Sequence, residues 1–406
     1  MKITDLKVTP VAVPLQPSLT ASKMRMGPRV LLEGLVEIIT DEGLVGIGET
    51  PCFLGNDLAT EIARSAKPAL VGKDPRNVNK LMKELYVRYN LVHLHIHSGS
   101  WAFSGIEMAL WDLAGKRAGL PLYKVWGGAY RKRIEFIGGV ERQELDGMTR
   151  QAAGLAAQGY KIIYTKVGFD PEDDIAAVAA MRKGAPDPSV KIRVDANQAW
   201  STGVAINTIN RMAPYGMEFV DQPVLMYNID ALKMVKNSVV VPIAGHECGW
   251  TMYDVLNAVK HSAIDYLHVD GRFDTGYTGS KISAGIAEAA GIQCTHHNYF
   301  QLGVALAMNL HMIASTKNIT LANQGDSYSS LEDDVLVGGK MKKDPGPYRD
   351  VPEGPGIGVA LDPDRVGKYN ELYIKEVLEK GFERETENHY YGAMHLRPYF
   401  SREQLE

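Results

Sequence analysis

At 406 residues the chain is long for a single hydrophobic core, so one large domain with a smaller companion is the expected organisation. Apolar content of 45% and charged content of 23% are those of an ordinary soluble globular protein, and 44 basic against 48 acidic side chains leave a net charge of −4. That balance argues against nucleic-acid binding, since Arg131, Lys132 and Arg133, and Lys340, Lys342 and Lys343, form only short clusters, and no apolar run is long enough to span a bilayer. The cysteines Cys52, Cys248 and Cys294 are odd in number and widely spaced, which suits a reducing compartment rather than a disulfide framework. With an N-terminus that lacks the apolar core of a signal peptide, the expected location is cytoplasmic.

In chain order, MKITDLKVTPVAV, VLLEGLVEIIT and GLVGIGET alternate like an antiparallel meander, with Asp41, Glu42 and Gly43 as a turn. Helices are predicted at about 57–72, 75–89 and 101–118; the last carries Ile106, Ala109, Leu110 and Leu113 on one face and ends at Gly119. From residue 133 a different rhythm begins. Short strand-like runs occur at 133–140, 160–168, 190–197, 217–224, 241–247, 265–271, 292–298 and 318–324, with helical segments between them. Alternation of this kind means a parallel sheet, and eight repeats point to a closed (β/α)8 barrel. The expected division is an α+β domain over 1–130, the barrel over 131–325, and a C-terminal segment over 326–406 that returns to the first domain with a helix near 364–380.

Active sites of such barrels form at the C-terminal strand ends, where this chain places many reactive groups. They are Tyr164 and Lys166, Asp195 and Asn197, Asp221, His246 and Glu247, Asp270, and His296 with His297. The first run offers only Glu141 and the eighth Asn323 or Gln324. Asp195, Asp221 and Glu247 come from three successive runs, each 26 residues apart. Three carboxylates so close repel one another without a cation, and an all-oxygen set suits Mg²⁺ better than zinc. The competing reading makes them N-caps of the following helices, and spacing alone does not separate the two. Lys166 lies on one side of this set, as a base or as a salt-bridge partner to a strand-end acid. Asp270 and His297 lie on the other, where a carboxylate fixes the imidazole tautomer and raises its basicity. Two proton-transfer groups facing each other across a metal suit abstraction of a proton next to a carboxylate.

These residues resemble the enolase superfamily and, within it, the mandelate racemase group. The likeness runs from TDEGLVGIGE (40–49) and IEMALWDLAGKRAGLPLYKVWGG (106–128) through YTKVG (164–168), VDANQAW (194–200), EFVDQP (218–223), PIAGHE (242–247) and VDGRFDTGYT (269–278). The segment from THHN (295–298) to ITLANQ (319–324), with PGIGVALDPDRVGKYNELY (355–373), looks like the glucarate dehydratase branch. The resemblance implies a barrel with an N-terminal capping domain, Mg²⁺ on Asp195, Asp221 and Glu247, Lys166 as base on one face, and His297 with Asp270 on the other. Four positions depart from the family pattern: Tyr164 replaces a lysine, Asp221 a longer glutamate, His246 precedes the third ligand, and the eighth strand lacks its usual acid.

The implied reaction is dehydration of an acid sugar, an aldonate or aldarate, to a 2-keto-3-deoxy acid. The alternative is a racemase, epimerase or cycloisomerase, and a third reading is an inert sugar-acid binder. Substrate contacts are expected from Asn197, His246, His296 and Asn323, and from Arg25 and Arg29 (with Lys23) on the loop 19–30, with 50–56 as its companion. His93, His95 and His97 form a tract that on a strand would share a face; a pocket or subunit contact is favoured there over zinc. A small-molecule carboxylate is the expected partner, and a homo-oligomer the expected assembly.

Overall fold

The structure is a computed structural model that describes residues 1–16, 30–51, 58–89, 96–298, 300–324 and 326–380. The N-terminal alternation forms a three-stranded antiparallel sheet, β1 (Ile3–Pro14), β2 (Val30–Thr40) and β3 (Val45–Pro51), in sequence order. The turn between β2 and β3 places Gly43 at φ 78°, a backbone region that side chains with a Cβ resist. The third helix begins earlier than the sequence indicates, at Ile96–Ala118, and ends where Gly119 turns to φ 67°. Its Ile106, Ala109, Leu110 and Leu113 are buried in one cluster with Ile3, Val36 and Ile38 of the sheet. The segment expected as one helix over 57–72 divides into Leu58–Ser65 and Lys67–Leu70, because Pro68 lacks the N–H that would continue the first. The expected 75–89 helix is Val78–Arg88.

Helix and sheet meet closely at two glycines of β3. A Cβ on Gly46 would overlap the carbonyl oxygen of Ala109, and one on Gly48 that of Gly105. Both obstacles are helix backbone, which cannot rotate aside. Gly48→Ala is therefore expected to destabilise the fold by about 1–3 kcal/mol, the usual cost of overpacking. Urea unfolding of the variant checks this; an unchanged midpoint would contradict it.

The later strands are β4 (Arg133–Glu135), β5 (Gly138–Gly139), β6 (Ile162–Lys166), β7 (Lys191–Asp195), β8 (Met217–Asp221), β9 (Ile243–Gly245), β10 (Tyr266–Val269), β11 (Gln293–His296) and β12 (Tyr348–Asp350). From β5 to β11 they form a parallel sheet in strict sequence order. Two runs differ from expectation. The first divides: β4 pairs antiparallel with β12, and only β5 joins the barrel sheet. The eighth forms no continuous ladder. It closes the ring through single parallel bridges, Cys294 to Ile319 and Phe136 to Asn323. The Asn323 side chain substitutes for missing ladder bonds, accepting from His296 N–H at 2.9 Å and donating to the Glu135 carbonyl at 3.0 Å. Ile163, Ile192, Val194, Val220 and Leu267 fill the core between strands and surrounding helices.

The C-terminal helix Pro363–Tyr373 is capped by Asp362, which accepts from the Asp364 and Arg365 N–H groups, and continues as a π-helical stretch to Glu379. Tyr373 and Val377 pack with Ala12 and Leu32 of the N-terminal sheet, and Asn370 Nδ2 donates to the Pro10 carbonyl at 2.7 Å. Among the described residues no helix is long and apolar enough to cross a membrane.

Candidate active site at the barrel mouth

Alternation along each strand decides which side chains enter the mouth, and strand register decides which of them meet. Lys166 pairs with Asp195 in the β6–β7 register, and Asp195 with Asp221 in the β7–β8 register, so three charged ends stand on adjacent strands. Glu247 follows β9 in a short 3₁₀ turn, Glu247–Gly249. Lys166 Nζ donates to Asp195 Oδ2 at 2.5 Å and also to Asn197 Oδ1. The Tyr164 hydroxyl donates to the same Asp195 oxygen at 3.2 Å and accepts from Gln324 Nε2 at 3.1 Å. Asn197 Nδ2 reaches Glu247 Oε1 at 3.1 Å.

The turn that aims Asn197 is strained. Asn197 and Gln198 sit at φ 42° and 68°, and Gln222 after the next strand at 34°. Left-handed backbone at such residues persists only where surrounding bonds over-determine it. Here the Asn197 N–H donates to Asp195 Oδ1 at 2.8 Å, and the Gln198 N–H to the Gln222 carbonyl at 2.8 Å. The Gln222 carboxamide oxygen accepts the N–H groups of both His246 and Cys248 at 3.1 Å, which fixes the backbone around Glu247.

The helix-cap reading of the three carboxylates does not hold. The helices Pro171–Gly184, Ile229–Ser238 and Met252–Lys260 are capped by Asp170, Asn228 and Thr251, and Ser201 occupies the cap position of Thr202–Met212. Each helix starts several residues beyond its strand end, which leaves Asp195, Asp221 and Glu247 for the mouth.

Their electrostatics are those of a crowded anionic site. Both oxygens of Asp221 and Oε2 of Glu247 are buried without a hydrogen-bond partner. Such orphaned acceptors are expensive and need an explanation. Burial, then the charges of Asp195 and Glu247, push the Asp221 carboxyl well above its usual range. Burial and the Asp195 charge push Glu247 up to about 7. Burial also works to raise Asp195, but the Lys166 ammonium outweighs it and holds that carboxyl low. The oxygen-only donor set and the orphaned carboxylate oxygens fit a hard divalent cation such as Mg²⁺. Asp195 and Glu247 each have an oxygen engaged by Lys166 and Asn197, and among the described residues no three His, Cys, Asp or Glu side chains converge as a ready metal-holding group.

On the opposite side of the mouth, His297 Nδ1 lies 2.8 Å from Asp270 Oδ2. A carboxylate there only accepts, so Nδ1 carries the proton and Nε2 keeps its lone pair. Burial first, then the Lys166 charge, lower His297 to about 3, so the imidazole is neutral at ordinary pH. His246 stacks on it with ring centroids 4.0 Å apart and planes at 32°.

Two predicted contacts do not join this group. His296 lies one residue out of phase with His297, and its Nε2 is buried without a hydrogen-bond partner. Asn323 is consumed in closing the barrel, and Gln324 is the eighth-run residue that reaches the mouth, through Tyr164. Arg25, Arg29 and Lys23, residues 52–56 of the companion loop, His93, His95 and the side chain of His97 lie outside the described residues. One residue was overlooked. His268 shares a strand face with Asp270, and its Nε2 stands 3.1 Å from Asp221 Oδ2, although the angle does not make a hydrogen bond. Its position two residues before Asp270 was the available signal.

Known proteins bear the same organisation. Residues 3–127 match the mandelate racemase / muconate lactonizing enzyme N-terminal domain, and residues 147–365 the enolase C-terminal domain-like family. L-Ala-D/L-Glu epimerase of Bacillus subtilis is 30% identical over 88% of this chain and 97% of its own. Arabinonate dehydratase of Saccharolobus solfataricus is 28% identical over 84% of this chain and 90% of its own. The crystal structure of the Enterococcus faecalis dipeptide epimerase, complexed with Mg and the dipeptide L-Leu-L-Tyr, superposes with a TM-score of 0.79 at 27% identity, covering 89% of this chain and all of that one.

Proposed function

Because this chain belongs to the mandelate racemase / muconate lactonizing enzyme family of the enolase superfamily, we propose that it inverts the carbon next to the carboxylate of a small organic acid. The observation that carries this reading is the pair of proton-transfer groups on opposite sides of one mouth, Lys166 beside Asp195 and His297 held by Asp270. Inversion uses one of them as base on one face and the other, protonated, as acid on the opposite face. Elimination uses the same pair, one as base and the other as acid to the departing hydroxyl. The epimerase relatives support the first, so the dehydration preferred from sequence becomes the second reading, favoured by the likeness to arabinonate dehydratase.

Asp195, Asp221 and Glu247 would hold Mg²⁺, which when bound supplies Lewis acidity toward the substrate carboxylate. Lys166 takes or returns the α-proton on one face. His297 does the same on the other through Nε2, while Asp270 fixes its tautomer and stabilises the imidazolium that forms. Tyr164 and Gln324 brace Asp195 from the side away from Asp221, and Asn197 keeps the Lys166 ammonium directed into the mouth.

The test is proton NMR in D₂O with Mg²⁺ and a panel of dipeptides, N-succinyl amino acids, aldonates and aldarates. Loss of the α-proton with appearance of the opposite stereoisomer is the expected result. A new methylene signal with loss of the β-hydroxyl would replace inversion by dehydration. No exchange from any member, with bound ligand detected, would favour the inert binder.

A further inference from the structure

The loop that carries Asp270 is gripped by the N-terminal domain through charges that proton transfer does not use. Arg272, fully buried, donates from Nη2 to both carboxylate oxygens of Glu33 on β2, at 2.9 and 2.8 Å, and lies 3.5 Å from Glu49 Oε1 on β3. Its Nη1 donates to the Phe300 carbonyl at 2.8 Å, three residues beyond His297. Its backbone N–H donates at 2.8 Å to Asp270 Oδ1, the oxygen His297 leaves free. Glu49 in turn accepts the N–H groups of Leu302 and Ala305 at 2.8 and 2.9 Å, where the helix after His297 begins.

Burying three charged groups is costly even when they are paired, and an apolar contact would join the two domains more cheaply. What an apolar contact cannot do is fix direction. A planar guanidinium with several donors does, because each bond constrains its plane. Here the guanidinium ties its own loop, which bears Asp270, to the backbone that follows His297. The Arg272 backbone N–H holds the Asp270 carboxylate, its guanidinium holds the backbone beyond His297, and the plane of that guanidinium is set by Glu33, 239 residues away in sequence.

We propose that Glu33 and Arg272 are positioning residues for the Asp270–His297 dyad, so that the N-terminal sheet sets the geometry of proton transfer at the barrel mouth. The inference rests on the dyad's role under the proposed function, but its test does not need a substrate. Full-length protein labelled at the histidine ring nitrogens is studied by NMR near neutral pH, and the His297 signals are identified by their loss in His297→Asn. The wild type is expected to show a single Nδ1–H tautomer, and Asp270→Asn to show what release of the imidazole looks like. Glu33→Gln is expected to lose the single-tautomer pattern and move toward that of Asp270→Asn, with Mg²⁺ binding measured by calorimetry unchanged. Arg272→Lys keeps the buried charge but loses the fork, so it is expected to shift the same way and serves if Glu33→Gln does not fold. A folded variant of either kind with wild-type His297 signals overturns the proposal. General loosening of the fold would instead lower thermal stability without selecting this one ring. Absence of α-proton exchange in the wild type would count against the function and leave the tautomer result to decide the positioning role of Glu33 and Arg272.

Discussion

His297→Asn is expected to lower inversion by about 10²–10⁴-fold, the scale of a lost general acid–base, while one hand of the substrate still exchanges its α-proton with solvent. The reason is the division of labour across the mouth. Lys166 stands with Asp195 on β6 and β7, whereas His297 and Asp270 stand on the far side at the ends of β11 and β10. Removing the imidazole leaves the Lys166 face able to take a proton and return deuterium, so exchange continues without inversion. Asparagine is close to histidine in size and polarity, so a collapsed cavity does not confuse the result. Lys166→Gln should give the mirror pattern, with exchange confined to the opposite hand. Both are read by NMR of each purified stereoisomer in D₂O. Equal loss of exchange from both hands in either variant would mean that the two groups do not act on separate faces.

The second large effect concerns the carboxylates. Chelation of divalent cations is expected to abolish turnover, and Mg²⁺ at a hundred times its Kd to stabilise the wild type by about 2.7 kcal/mol. Asp221→Asn should lose both turnover and that stabilisation. Without metal, however, the variant is expected to be as stable as the wild type or more so, which is the reverse of most substitutions of a buried polar residue. The sign follows from the surroundings. Asp221 has no hydrogen bond to either oxygen, and Asp195 and Glu247 both repel its charge. Neutralising it therefore relieves strain and breaks no hydrogen bond. Thermal unfolding with and without Mg²⁺ decides it; a metal-free variant that unfolds well below the metal-free wild type would show that Asp221 is held by partners rather than by a cation.

The candidate groups at the strand ends were legible in the sequence, and the places where the structure arranges them differently have a common cause. Lys166, Asp195, Asp221, Glu247, Asp270 and His297 were picked out because each ends a strand-like run, and strand ends recur with the regular pitch of the barrel. The differences fall on neighbouring pairs. His296 and His297 are adjacent, as are Asn323 and Gln324; His297 meets Asp270 and Gln324 meets Tyr164, while Asn323 is spent on the barrel seam and the His296 Nε2 finds no partner. A shift of one residue in strand phase exchanges their roles, and composition carries no record of phase. The cap reading of the carboxylates stayed open for the same reason, since it depended on where each helix starts; Asp170, Asn228 and Thr251 take that part.

The sequence by itself determined the architecture, the family and the strand-end carboxylates, because periodicity, spacing and motif are local and survive without knowledge of the fold. Tertiary structure alone decided which of two adjacent side chains enters the mouth, that His268 approaches Asp221, and that Arg272 meets Glu33 across the two domains. Those contacts join residues tens to hundreds of positions apart, and their geometry comes from register and packing, for which no short stretch of chain carries a signal.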